Sequence, residues 1–137
     1  MEYRMYCLVL KHLNPIQKGV QSAHSIVEYA NKYSSDKDYK QWATKDKTLI
    51  MLNGGTSPEL ENIVHELNDN DIQYAVFTEP DLNGLITSIC FIASEEVFDD
   101  IYDSYYQNSE LLLLEWGTKE YRNYIKRKII TSHRLAN

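Results

Sequence analysis

The chain has 137 residues, 43% hydrophobic and 25% charged, which fits one soluble globular domain and is too short for two full cores. No run of 18 apolar residues occurs, and the opening stretch MEYRMYCLVL lacks a cleavage-site pattern after its apolar residues. A membrane span and a secretory leader are therefore not expected, and a cytoplasmic location is. The net charge of −6 is uneven: residues 1–118 carry eight bases against nineteen acids, and residues 119–137 carry six bases against one acid. An acidic body disfavours broad contact with phosphate backbones but leaves room for a local basic patch.

Residues 3–10 (YRMYCLVL) read as a strand covered on both faces. Asn14 suits an N-cap and Pro15 a first helical position, opening a helix over residues 14–33. Two stripes run along it. Ile16, Val20, Ala23, Val27 and Ala30 recur at helical spacing and predict the buried face. Gln17, Gln21, His24 and Glu28 form a polar row beside them, where a core boundary can hold a substrate or simply satisfy its own hydrogen bonds. Ser35 can cap a short second helix through Ala43, with Tyr39, Trp42 and Ala43 as its inward contacts.

A second strand is predicted at 47–52, ending in the turn Asn53-Gly54-Gly55-Thr56. Ser57 then caps a helix whose apolar stripe is Leu60, Ile63, Val64 and Leu67. NGGT lacks the Lys and the spacing of a phosphate-binding loop and reads as a plain turn. Strands at 72–78 and 85–93 are joined by EPDLNG, a natural hairpin connection. Ser94 opens a further predicted helix with Val97, Phe98, Ile101 and Tyr105 buried. The order implies an α/β fold: three layers, helices on both faces of a four-stranded mixed sheet. Residues 1–106 form this domain. Residues 107–137 form a C-terminal helical extension packed on it or swapped from it, with a helix from Thr118 burying Tyr121, Tyr124, Ile125 and Ile129. The outer side of that helix carries Lys119, Arg122, Lys126, Arg127 and Lys128, either a solvated face or a set of phosphate contacts.

Cys7 and Cys90 lie in apolar runs and read as buried free thiols. His12, His24, His65 and His133 have no metal-ligand spacing, and no metal or cofactor motif is present.

The strand MYCLVL, the helix start KGVQSAHSIVEYA and the hairpin FTEPDLNGLITSICFIA resemble, in that order, the peptidyl-tRNA hydrolase 2 family of archaea and eukaryotes. Gln21 and His24 fall at the Gln and His of the family's first-helix pattern, and Glu79 and Thr87 occupy places comparable to its hairpin acid and Thr. The likeness covers about residues 5–106. The chain departs from the pattern at Gln17, which stands where the family has Lys, with Lys18 one place late. It also has Glu for the hairpin Asp, a rebuilt turn Pro80–Gly84, and an acidic body.

The resemblance implies a hydrolase of peptidyl-tRNA or a related aminoacyl ester. Glu79, Lys18 and His24 are then its catalytic candidates, with Gln17, Gln21 and Thr87 contacting substrate. Lys119, Arg122 and Lys126 would meet the tRNA backbone. His24 reads either as a proton carrier or as a buried packing residue bonded to a neighbouring strand. A homodimer is implied too, and the apolar block Leu111–Trp116 needs burial. The alternative is a non-catalytic binding protein on the same scaffold, for a nucleotide-like ligand, a small signalling molecule or a protein.

Overall fold

The computed structural model describes residues 1–106 and 116–137, the side chains of 104–106 excepted. The elements in order are β1 (Tyr3–Leu10), α1 (Pro15–Tyr33), α2 (Lys37–Gln41), β2 (Thr48–Gly55), α3 (Ser57–Asp69), β3 (Ala75–Glu79), β4 (Leu85–Ser94) and α4 (Lys119–Thr131). The sheet order is β2-β1-β4-β3. β1 pairs parallel with β2 and antiparallel with β4, and β3 pairs antiparallel with β4. So β1, β2 and β3 all end at the same edge of the sheet, and β4 alone runs the other way. This is the mixed four-stranded α/β sheet expected.

Alternation along β1 sorts its side chains into two cores. Tyr6, Leu8 and Leu10 join Leu60, Ile63 and Leu67 of α3, Ile89 and Phe91 of β4, and Tyr124, Ile125 and Ile129 of α4. Met5 and Cys7 face the other way and join Tyr29, Ala75, Cys90 and Ile92. α4 thus packs on the domain's own sheet. Beyond it the chain continues onto the sheet edge, where Asn53 N donates to Arg134 O at 2.8 Å and Ala136 N to Met51 O at 2.9 Å. Those bonds cover the outer side of β2, an edge that would otherwise present unpaired groups.

Several local expectations need correction. The apolar stripe of α1 faces out: Ile16 is 80% exposed and Val27 57%. The buried face is Lys18, Gln21, Ser22, Ser25 and Tyr29 instead. Small polar residues there let the helix approach a sheet face that carries Ser88, with Ser25 Oγ 2.7 Å from Ser88 Oγ. Asn53, Gly54 and Gly55 end β2 rather than turning the chain. Gly54 is required because a Cβ would fall 2.5 Å from Leu60 Cδ2, inside the core.

Thr56, not Ser57, caps α3, and Asp36, not Ser35, caps α2, which gives way to a π-helical turn, Trp42–Asp46. β3 begins at Ala75 instead of Ile72. The helix expected after Ser94 is two 3₁₀ segments, Glu95–Phe98 and Asp100–Tyr106, broken by extended Asp99. Val97 and Tyr102 are buried there, while Phe98 and Ile101 are exposed. Tyr105's side chain and Leu111–Leu114 lie outside the described residues. Among the described residues no helix is long and apolar enough to cross a membrane.

Cys7 and Cys90 are free, buried and directly opposite across the β1–β4 pairing. Cys7's hydrogen bond to Cys90 and its burial hold its thiol well above the usual range, so it stays protonated and acts as a small hydrophobe.

Candidate functional site

The carboxyl ends of β1, β2 and β3 define one edge of the sheet, the end at which open α/β sheets generally bind ligands. The first turns of α1 lie over it. Asn14 and Gln17 close a reciprocal capping box: Gln17 N donates to Asn14 Oδ1 at 2.8 Å, and Asn14 N to Gln17 Oε1 at 3.2 Å. Gln17 is committed to the cap and does not join the site.

One turn further along, Gln21 is buried with its amide split between two partners. Its Nε2 donates to Glu79 Oε2 at 3.1 Å, and its Oε1 accepts from Thr87 Oγ1 at 2.6 Å. The pairing of β3 with β4 explains how Thr87 reaches α1. Phe77 pairs with Ser88 but Thr78 with Ile86, so Thr87 is the extra residue of a β-bulge. The bulge turns both Thr87 and Ser88 toward α1, which strict alternation forbids. A fully buried hydroxyl, a buried amide and a half-buried carboxylate therefore form one relay, Thr87 to Gln21 to Glu79. The carboxylate also turns back on its own loop, Oε1 accepting from Asp81 N at 3.4 Å.

Thr87→Val should expose what the relay contributes to stability. It keeps the volume but strands Gln21 Oε1 in a buried place, and a buried acceptor left unpaired costs about 1–3 kcal/mol. Urea denaturation checks this. A loss below about 0.5 kcal/mol, the ordinary surface value, would mean the hydroxyl is not needed there.

Lys18 lies on the same face as Gln21 and is only 6% exposed. Its Nζ contact is with the backbone oxygen of Asn137, at 3.4 Å. The sequence places Lys18 one position late, and the helix answers by turning it toward the segment on the β2 edge. His24 is exposed, and its ring stacks on Phe77 with centroids 4.3 Å apart and planes 14° from parallel. It stacks on β3 but stays exposed, whereas the packing reading had it buried and hydrogen-bonded to a neighbouring strand.

Lys119, Arg122 and Lys126 are not at this edge. They share one face of α4 and line a cavity of about 500 Å³ at the opposite end, where β1 begins and β4 ends. The outer row of α4 is thus not simply solvated. Arg127 Nη2 pairs with Asp103 at 2.8 Å and Lys128 with Glu66 at 3.2 Å. The carboxylates in the cavity wall, Asp36, Asp38, Asp71 and Glu96, were not singled out from the sequence. Asp36 and Asp38 had only the alternation of acids in SSDKD as a signal, and Asp71 and Glu96 had none. The chain matches no protein-family model and no curated protein.

Proposed function

We propose that Glu79, Gln21 and Thr87 form the water-orienting edge of a cytoplasmic ester hydrolase acting on peptidyl-tRNA or a related aminoacyl ester. The observation that carries this reading is the relay behind Glu79. A carboxylate held by a buried amide, itself fixed by a buried hydroxyl, is fixed in place at the end of β3 with lone pairs left to accept from water. Such a group accepts a hydrogen bond from water and orients it for attack on an ester carbonyl, taking the proton as the C–O bond forms. The proton then leaves with the ribose oxygen of the departing tRNA. Lys18 supplies charge to the developing oxyanion if it exchanges the Asn137 carbonyl for substrate. The test is release of peptide from peptidyl-tRNA, and of amino acid from aminoacyl-tRNA, by micromolar protein. No release of either would overturn hydrolysis.

The second reading, a binding protein on the same scaffold, is favoured by that Lys18–Asn137 contact, which engages a buried cation on the same face of α1 as Gln21. In that case nucleotides or tRNA raise the melting temperature by mass action with no turnover.

Self-association belongs to either reading. Ile16, Val20 and Val27 form an outward apolar stripe on α1, and a second copy is the partner proposed for it. Light scattering should give a dimer mass, and Val20→Glu with Val27→Glu should return the monomer. A monomer at every concentration would refute this.

A further inference from the structure

We propose that the cavity at the far end of the sheet binds a small zwitterion, an amino acid or a short peptide. Its carboxylate would sit on Arg122 and Lys126 and its ammonium among Asp36, Asp38 and Asp71. This site is independent of the hydrolase reading and lies at the opposite edge of the sheet.

The cavity, about 500 Å³, is within the size range of small-molecule sites, roughly 300–1,000 Å³. Four carboxylates and four cations line it, so neither a bare anion nor a bare cation is matched by its net charge. Its two signs lie largely on separate walls, with exposed Lys37, between Asp36 and Asp38, as the exception. α4 contributes Arg122 and Lys126. The other wall comes from the start of α2 (its cap Asp36, and Asp38) and the turn before β3 (Asp71). Among the described residues, no ion pair within 4.0 Å joins Arg122 or Lys126 to Asp36, Asp38 or Asp71. The Lys119–Glu96 pair, at 3.3 Å, is already closed and leans toward solvent, Lys119 being two-thirds exposed.

The remaining groups are partly used or free. Arg122 gives Nη1 to Gly117 O at 3.0 Å and keeps its other donors. Asp36 Oδ2 accepts from the Tyr39 N–H at 3.1 Å, which leaves its second oxygen. Asp36, Asp38, Arg122 and Lys126 are half-buried, and charges drawn partly out of water without a partner are costly. A ligand carrying both signs supplies each wall with its counter-charge at once.

The surroundings agree. Burial pushes the Lys126 ammonium down to about 8, with Asp38 and Asp36 pulling it back and Arg122 adding to the depression. A bound carboxylate relieves that cost. Burial, then Asp38, pushes the Tyr3 phenol up to about 12, so it stays protonated and hydrogen-bonded to Asp38. Tyr29, Ile72 and Ile92 give the cavity an apolar floor for a ligand's side chain.

The experiment is calorimetric titration of the full chain with leucine, Gly-Leu and Gly-Gly-Leu, then with N-acetylated and C-amidated forms of whichever binds. The ladder separates an amino acid from a short peptide. Losing a hydrogen bond to a charged group costs about 1.5–3 kcal/mol, so capping either end should weaken binding about 10- to 100-fold. Arg122→Gln and Asp38→Asn should each do the same, and Asp38→Asn should not further weaken the N-acetylated form. Saturable binding with both end groups required establishes the site even if a variant misfolds, because the capped ligands test the unmodified protein. The proposal is overturned if none of the three zwitterions saturates below about 10 mM, far weaker than ordinary recognition, or if capped ligands bind as well as free ones.

Discussion

Glu79→Gln is expected to lower peptide release by about 10²- to 10⁴-fold, the usual contribution of a positioned proton-accepting group. The replacement isolates charge from structure. Glutamine has nearly the same volume, and its amide oxygen can still accept from Gln21 Nε2, so the 3.1 Å link to α1 survives. Lost are the negative charge and the basicity that make water a nucleophile. The melting temperature should therefore hardly move while turnover collapses. Single-turnover release from peptidyl-tRNA, read beside a thermal melt, separates the two. Equal loss of both would show that Glu79 ties the hairpin to α1 rather than orienting water. Undiminished turnover in a folded variant would remove Glu79 from the mechanism altogether.

How much of this was legible in the sequence depends on what each pattern encodes. Strand positions were readable because β1 and β4 are continuous apolar runs bounded by turn residues. The relay partners Gln21, Glu79 and Thr87 were named from their likeness to a family pattern, and the structure brings all three together. The bulge that aims Thr87 at α1 has no signature in LITSICFIA, since it is set by how β3 pairs with β4.

The direction of α1 was misread for a physical reason. Helical spacing shows that a helix has two faces but not which one meets the sheet. The rule that apolar residues face inward failed because the sheet offers Thr87 and Ser88 there. The buried stripe Lys18, Gln21, Ser22, Ser25 and Tyr29 supplies polar partners and small volume in return. The same ambiguity hid the cavity. Lys119, Arg122 and Lys126 look like any exposed basic row until the start of α2, carrying Asp36 and Asp38, and the turn carrying Asp71 are folded against them. Those contacts are long-range and leave no local trace.

Phe91→Ala should be the most destabilising single change, about 3–5 kcal/mol, the range for deleting a buried aromatic side chain. Phe91 is fully buried at the centre of the larger core. It pairs across the sheet with Tyr6, their rings 5.9 Å apart and 22° from parallel. Deleting its ring opens a cavity in the cluster that Leu60, Ile63 and Leu67 of α3 share with Tyr124, Ile125 and Ile129 of α4. Against a typical domain stability of about 5–15 kcal/mol, the loss leaves little margin. The melting temperature should fall by roughly 10–20 °C for a chain of this size.

Ile16→Ala serves as the contrast, an equally apolar deletion at an outward position of α1, expected to change stability by less than about 0.5 kcal/mol. Equilibrium urea unfolding of both at low protein concentration, with similar slopes, is the measurement. A Phe91→Ala loss below about 1.5 kcal/mol, at the level of a trimmed methyl, would place the core elsewhere. A large Ile16→Ala loss would instead turn α1 around, putting its apolar stripe against the sheet and taking Gln21 away from Glu79. The stability of these two variants therefore bears on the candidate site as directly as any assay of turnover.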